Sequence, residues 1–312
     1  MFEEKIGCDE YSDRLRMATI TYLKTGPTLG HWSWSWLQLQ RIALQYGTDG
    51  AARIVHGLTP PNVITTIIQS TKFENAVSLD GHGLKWHDMA VFPAETHFTF
   101  VSDHQLSWIS FAIPLGPDGE GNMRELDRAI SSLRQRSILT LAPSDAERLV
   151  ATAHAMKAEV NPSVCNAAAA EGKLFETLDS VVTQADDVVP LPSDYNRSAE
   201  QLIFKALEFV RARQWDVITV DDLVAVTKVE YRTLLRAFQR YLNVGPKQYL
   251  RLRQLDVVRR ALRQQDKAED ASVTTTMSAH GVTEFGRFAV EYRRLFHEMP
   301  SETFKRSALY PA

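Results

Sequence analysis

The sequence predicts an α+β protein of two domains: antiparallel strands followed by helices at the N-terminus, and an all-helical C-terminal domain. A length of 312 residues suits two hydrophobic cores better than one. Apolar and polar residues alternate in short runs before residue 115, whereas a helical period prevails after about residue 123. Residues 185–197 contain prolines and aspartates without helical periodicity, which predicts a linker between domains at 1–184 and 198–312.

The strand signals lie between about residues 30 and 115. Residues 32–40 alternate apolar and polar side chains, which is the period of a half-buried strand. Further apolar runs, separated by turn residues such as Asp80 and Gly81, occur at residues 63–68, 89–92, 98–101 and 108–113. Short strands in series predict a compact antiparallel β-barrel or sandwich.

Helical periodicity follows over about residues 123–180. Leu126, Ile130 and Leu133 share one helical face. Ser144 and Glu147 fit a capping box that opens another helix. These helices either pack on the strands or form a dimer interface, and the sequence leaves both options open.

Composition excludes several classes of protein. With 44% hydrophobic and 23% charged residues, the chain is globular rather than disordered. No apolar run approaches the roughly 18–20 residues that span a bilayer, and the acidic N-terminus is unlike a secretory signal. Because Cys8 and Cys165 are far apart, we expect a cytoplasmic protein without a disulfide scaffold. Phosphate-binding glycine loops and nucleophile turns are absent, so we expect neither a cofactor nor enzyme activity.

Charge is divided unevenly along the chain. Residues 197–312 contain 20 Lys and Arg against 14 Asp and Glu, a balance of +6, and the remainder contains 15 against 24. A basic C-terminal domain beside an acidic N-terminal one indicates a polyanionic partner such as nucleic acid. A chance asymmetry between solvated surfaces is the alternative.

The C-terminal domain contains a helix-turn-helix pattern. Thr219 is predicted to cap a short helix, with Asp222 reaching back to it, and residues 227–229 break that helix. A second helix from about residue 230 has its apolar residues on one inner face: Leu234, Phe238 and Leu242. In this motif the second helix can enter the major groove of DNA.

A second unit of the same kind follows a long connecting helix. The connecting helix is predicted over residues 246–264. The second unit has a short helix over residues 273–279 and a longer one over about 284–296, which buries Phe288 and Tyr292. Each unit therefore offers one helix for base readout.

The two units carry one ordered set of residues: Thr233, Leu234, Ala237, Phe238, Gly245, Pro246, Tyr249, Leu250, Leu255, Gly281, Gly286, Arg287, Phe288, Tyr292, Arg293, Arg294, Leu295, Phe296, Pro300 and Ser301. This pattern, over residues 199–306, resembles the DNA-binding domain of the AraC/XylS family of bacterial transcription regulators. The resemblance implies that both longer helices enter successive major-groove segments, about 34 Å apart.

The resemblance also implies which residues contact DNA. Those that match base-reading positions are Arg232, Leu235 and Arg236 in the first unit, and Phe285, Gly286 and Arg287 in the second. Arginine suits this task because its planar fork can bond guanine with two hydrogen bonds. Outward positions on the helices predict phosphate contacts from Arg251, Arg259 and Arg293. A solvated basic face is the alternative.

The chain departs from the family pattern at four positions. Lys228 and Glu230 stand where the family usually has Gly and Ser, and Thr276 and Met277 stand where it has Ile and Ala. Lys228 is expected to need a left-handed backbone, and Met277 to force repacking. We therefore expect the first unit to bind more strongly than the second.

The N-terminal strands resemble, by their spacing, the cupin-like sensor barrels found on many members of this family. That resemblance implies either a small-molecule pocket or a dimerising role. The candidate pocket residues are Trp34, Trp36, His87 and His97. The closely spaced histidines also suggest a metal-dependent cupin enzyme fused to a DNA-binding module: His82, His87, His97 and His104. The His-x-His pair of such enzymes is absent, so no metal is expected.

The sequence thus predicts a sequence-specific transcription regulator, with activation as its expected effect. The expected partners are double-stranded promoter DNA, a second copy bound through the N-terminal domain, RNA polymerase and a small effector, without a membrane. The metal-dependent enzyme and a regulator without an effector are the alternatives.

Overall fold

The computed structural model describes residues 4–6, 11, 14–15, 18–73, 77–115, 135, 137–159, 167–191, 198–264 and 272–309. The helix predicted at Leu126, Ile130 and Leu133 lies outside these residues, as do Cys8 and Cys165. Within them, no helix has the length and apolar character needed to cross a membrane.

Two antiparallel sheets face each other in the N-terminal domain. The larger sheet contains, in spatial order, β1 (Glu4–Ile6), β3 (Trp32–Gln38), β4 (Ala43–Asp49), β11 (Leu106–Pro114), β6 (Val63–Gln69), β9 (Asp88–Phe92), β12 (Ser137–Thr140) and β13 (Asp187–Pro190). The smaller sheet contains β2 (Thr19–Thr28), β5 (Ala51–Leu58), β10 (His97–Ser102), β7 (Val77–Leu79) and β8 (His82–Leu84).

The α+β class is confirmed, but the closed barrel is not. Among the described strands, no ladder joins the two sheets, so each sheet keeps its own edge strands and the domain is a sandwich. The turn predicted at Asp80 and Gly81 joins β7 to β8. Both residues have positive φ values, 49° and 79°, as a two-residue hairpin of this hand requires.

Strand β11 shows how the sandwich divides its side chains. Ile109, Phe111 and Ile113 are fully buried on the outer face of the larger sheet, whereas Trp108 and Ser110 point between the sheets. Two helices, α1 (Pro143–Glu159) and α2 (Ala167–Thr183), cover that outer face and complete its core. These two helices therefore pack on the strands.

Two local predictions in this domain were wrong. Helix α1 begins at Pro143, so Ser144 lies within its first turn instead of capping it. Within the predicted linker of residues 185–197, residues 187–190 instead form strand β13, which pairs with β12, and residues 192–197 lie outside the described residues. Proline is tolerated there because β13 is an edge strand with exposed side chains.

The C-terminal domain is all helical. Its described helices are α3 (Ser198–Ala212), α4 (Val220–Thr227), α5 (Tyr231–Leu242), α6 (Pro246–Gln264), α7 (Val273–Ala279), α8 (Phe285–Phe296) and α9 (Pro300–Leu309). The residues predicted to face inward are fully buried, among them Leu234, Phe238 and Phe288. Both helix-turn-helix units and the connecting helix α6 are confirmed.

The outer face of the smaller sheet packs against this helical domain. Leu23, Ile54 and Val101 belong to the same buried cluster as the cores of α5, α6 and α8. Lys24, which is 4% exposed, donates a hydrogen bond of 2.6 Å from Nζ to the backbone carbonyl of Leu295 near the end of α8. The strands thus hold the second candidate recognition helix directly.

Candidate DNA-binding surface

The first unit is fixed by a capping box and a left-handed turn. The Thr219 hydroxyl accepts from the backbone N–H of Asp222, and the Thr219 N–H donates to the Asp222 carboxylate at 2.8 Å. These hydrogen bonds hold the pKa of Asp222 below its ordinary value. Lys228 ends α4 with φ at 57°, and Glu230 precedes α5 without a side-chain cap. The Thr219 cap and the backbone of Lys228 are as predicted.

Helix α5 presents the residues predicted to read bases in the first unit. Arg232 and Arg236 are exposed, and neither has a hydrogen bond or ion pair with another described residue. Leu235 is half-buried beside Gly245. Because the two arginines are four residues apart on one helical face, both guanidinium groups can approach the same groove.

Helix α8 presents the second set. Phe285 and Arg287 are exposed, and Gly286 has no atom within 4 Å of the position that a Cβ would occupy. Ser272 caps the preceding helix α7 through a capping box with Thr275. Met277 is 3% exposed and lies within the buried cluster of the helical domain. The second unit therefore accommodates this methionine by burying it.

An ion-pair network ties the second unit to the connecting helix. Glu291 of α8 accepts from Arg251 of α6 at 2.6 Å and from Arg287 at 3.1 Å, while Glu284 lies 3.7 Å from Arg287. Burial raises the pKa of Glu291, but the two arginines outweigh burial and hold that pKa below its ordinary value. Arg251 and Arg287 are thus neutralised in part before any DNA is present.

The three predicted phosphate contacts differ in exposure. Arg293 is exposed on α8, and Arg251 is half-buried against Glu291. Arg259 does not lie outward as predicted, since it is 8% exposed and pairs with Glu298 at 2.5 Å. The guanidinium of Arg259 also lies over the Phe296 ring. Arg259 therefore stabilises the packing of α6 against α8 and is not placed to contact a phosphate.

A cleft of about 880 Å³ lies between the two units. Helix α6 contributes Lys247 and Arg251, and the starts of α5 and α8 contribute Tyr231 and Arg287. Residues 25–27 of β2 also line it. The N-terminal domain therefore reaches the space between the two candidate recognition helices.

The four predicted pocket residues do not come together. Trp34 packs with Tyr11 and Trp32, Trp36 lies at the edge of that cluster, and the Nδ1 atom of His87 lies 2.6 Å from the carbonyl oxygen of Leu141. His97 lies on the outer face of the smaller sheet, against α3. None of the four lines the cavity between the sheets.

A cavity of about 80 Å³ does lie between the sheets. Its lining includes the buried ion pair of Asp49 and Arg53, 2.6 Å apart, beside Phe98 and Trp108. Polar atoms without a hydrogen bond to a described residue also line it, on Arg53, Thr65, Gln69 and Asp88. The sequence signal that could have located this cavity is the presence of charged and amide residues within otherwise apolar strands.

Comparison with known proteins bears on the helical domain. A family described as "Helix-turn-helix domain" matches residues 223–306. The XylDLEGF operon transcriptional activator of Pseudomonas putida is 29% identical over 134 residues, which are 43% of this chain and 39% of that protein. The chain thus matches about two fifths of that relative's length.

Two solved structures are also similar. A probable AraC family transcriptional regulator from Rhodopseudomonas palustris CGA009 is 29% identical, with a TM-score of 0.31 over 34% of this chain and 97% of that one. The AraC-like transcriptional activator CuxR is 12% identical, with a TM-score of 0.41 over 84% of this chain and 91% of that one. The chain thus contains a helix-turn-helix domain over residues 223–306 and is similar in sequence to AraC-type transcription regulators.

Proposed function

We propose that this protein is a sequence-specific transcription regulator whose helices α5 and α8 enter successive major-groove segments on one side of DNA. The observation that carries the proposal is the pair of exposed arginines, Arg232 and Arg236, on the first recognition helix. An uncommitted guanidinium can contact the edge of guanine without first breaking a bond inside the protein.

Activation of transcription, through contact with RNA polymerase, is the effect that we propose. The Pseudomonas putida relative is named as a transcriptional activator, which supports this direction of regulation. We place the protein in the cytoplasm, where promoter DNA and the polymerase are found in bacteria. No enzyme activity is part of the proposal.

Promoter binding is tested with duplexes selected from a random library by the full-length protein. The double variant Arg232→Ala/Arg236→Ala is expected to weaken binding to the selected duplex by roughly 30-fold or more. Binding to random duplexes should change little. Arg148→Ala, which removes an exposed arginine from α1, is the matched control and should bind as the wild type does. Equal losses on selected and random duplexes would contradict base readout by this face.

A small effector is proposed to bind in the cavity between the sheets. Buried polar atoms are nearly always hydrogen-bonded in folded proteins, so the orphaned atoms on Arg53, Gln69 and Asp88 indicate that water or a polar molecule completes them. The volume of about 80 Å³ is about half that of the roughly 150 Å³ cavity that holds benzene. An effector of that size or larger therefore has to displace side chains. Arg53→Met should abolish any effector dependence of DNA binding.

Dimerisation is proposed to involve strand β13 of the N-terminal domain. Val188 and Val189 of this edge strand are 46% and 39% exposed, and an open apolar edge favours pairing with a second strand. Sedimentation should show a dimer for the wild type and a monomer for Val188→Lys. A dimer of unchanged stability in this variant would exclude β13 as the contact.

A further inference from the structure

Two histidines and a glutamate meet between the two domains. His56 of β5 and His97 of β10 lie on the outer face of the smaller sheet, with ring centroids 6.0 Å apart and planes nearly parallel. Glu208 of α3 approaches from the helical domain, with Oε1 at 3.6 Å from Nε2 of His56. One ligand atom from each residue lies within 4.8 Å of the others. In the described part of the chain, this is the group of potential metal ligands that comes together.

The ring of His56 is held in place through one of its nitrogens, and the other makes no hydrogen bond to a described residue. Only 6% of His56 is exposed, and its Nδ1 lies 3.0 Å from the hydroxyl oxygen of Thr99. Its Nε2 is buried and makes no hydrogen bond to a described residue. A bond at Nδ1 fixes the ring so that Nε2 can carry a lone pair toward Glu208 and His97.

We propose that His56, His97 and Glu208 bind a divalent transition metal ion, with Zn²⁺ as the best fit. Zinc takes imidazole nitrogen and carboxylate oxygen at about 2.0–2.2 Å, and three protein ligands leave a fourth position for water. Donor atoms within 4.8 Å of one another need only small side-chain rotations to reach a common ion. This site shares His97 with the histidines considered from the sequence, but its other ligands, His56 and Glu208, come from β5 and α3.

The neighbouring side chains fix the orientation of His97 and Glu208. The ring of Phe204 packs edge-on to His97, with the two ring centroids 4.1 Å apart. Arg211 pairs with the other carboxylate oxygen of Glu208 at 2.9 Å, so Oε1 stays directed at His56.

The proposed ion would connect the N-terminal sheet to the first helix of the DNA-binding domain. Helix α3 shares its buried cluster with α5, the first recognition helix. A metal bond between β5, β10 and α3 would therefore fix how the DNA-binding domain sits on the sandwich. This inference does not depend on which promoter or effector the protein uses.

Full-length protein, stripped with a chelator, is titrated with Zn²⁺ in competition with a chromophoric chelator. We expect about one Zn²⁺ per chain, and visible bands of tetrahedral Co²⁺ when cobalt replaces zinc. Glu208→Gln and His97→Ala should each weaken Zn²⁺ binding by at least about tenfold. His104→Ala, which removes an exposed histidine paired with Asp103, is the matched control and should bind as the wild type does.

A second measurement separates loss of the site from loss of the fold. Zn²⁺ should raise the Tm of the wild type and of His104→Ala but leave that of Glu208→Gln unchanged, since a ligand stabilises only the state that binds it. The double variant Cys8→Ser/Cys165→Ser should retain Zn²⁺ binding, and this result would exclude the two thiols as ligands of the ion. Absence of Zn²⁺ binding by the wild type, or full binding by folded Glu208→Gln, would overturn the proposal.

Discussion

The two helix-turn-helix units share one architecture but differ in the ion pairing of the arginines that we propose to read bases. In the first unit, Arg232 and Arg236 are exposed and form no bond with another described residue. In the second, Arg287 is held by Glu284 and Glu291, and Glu291 is also bound by Arg251 of the connecting helix. For the proposed base readout, the arginines of the first unit are available at once, whereas Arg287 of the second unit first has to break its ion pairs.

Each of these ion pairs contributes only a modest free energy. Exposed ion pairs contribute about 0–1 kcal/mol, so those of Arg287 reduce its net gain from DNA without abolishing it. The negative charge of Glu291 also repels nearby phosphates. The two half-sites of a promoter should accordingly contribute unequally, with the first unit supplying more of the specificity.

The largest effect is expected from Arg236→Ala. Loss of its side chain should cost about 1–3 kcal/mol on a selected duplex, because one base contact is removed. Random duplexes should be affected little. Fluorescence anisotropy on both duplexes measures the difference. Equal losses on the selected and random duplexes would show that Arg236 contacts phosphates instead of bases.

The next largest effect is expected from removal of the helix cap in the first unit. Thr219→Ala should lower the free energy of unfolding by about 0.5–2 kcal/mol, because the first turn of α4 loses its hydroxyl acceptor. The folded-state pKa of Asp222 is lowered, so its contribution is present above the unfolded pKa and disappears as the pH falls through the folded value. Urea unfolding at several pH values should show a flatter acid limb in Thr219→Ala. Ser272→Ala makes the equivalent change in the second unit.

A smaller effect is expected from Arg287→Ala. The loss of binding free energy on a selected duplex should be below about 1 kcal/mol. The wild-type Arg287 gains little from the DNA contact, because it gives up its own ion pairs to make that contact. Glu291→Gln should act in the opposite direction and tighten binding. The dependence of the binding constant on salt concentration should steepen by the amount that one additional phosphate contact contributes. Titrations at several salt concentrations measure both. Equal costs for Arg287→Ala and Arg236→Ala would remove the asymmetry between the units.

The smallest effect is expected from Lys228→Gly. A left-handed backbone costs a residue with a Cβ roughly 1–2 kcal/mol, part of which is offset by the greater freedom of glycine when unfolded. The variant should therefore be more stable by a few tenths of a kcal/mol, up to about 1 kcal/mol. In the second unit Gly281 already has positive φ, so Gly281→Lys should be destabilising. Thermal unfolding of both variants checks this.

The helical domain could be predicted from the sequence almost residue by residue, because its signals are local. Thr219 capped the helix that was expected, and Lys228 took the left-handed conformation that its position required. Arg259 was misplaced because the helical period alone does not show that Glu298, 39 residues later, supplies a buried partner. The pairing of Arg251 with Glu291 was missed for the same reason.

The N-terminal domain was predicted less completely. Strands with clear alternation, such as β3 and β11, were located, whereas β4 and β5 were missed because buried Gln45, Asp49 and Arg53 interrupt their apolar pattern. Whether strands close into a barrel depends on ladders between residues far apart in the chain, which no local period encodes. His56 was likewise overlooked, since its partners, His97 and Glu208, come from other elements.

Strand β2 lies between the cavity in the sandwich and the candidate DNA-binding surface. Tyr22 lines the cavity between the sheets, and Lys24, two residues later, holds the last turn of α8 through the carbonyl of Leu295. A cation at this end of a helix also complements the partial negative charge there. Residues two positions apart on one strand therefore join the cavity to the second candidate recognition helix.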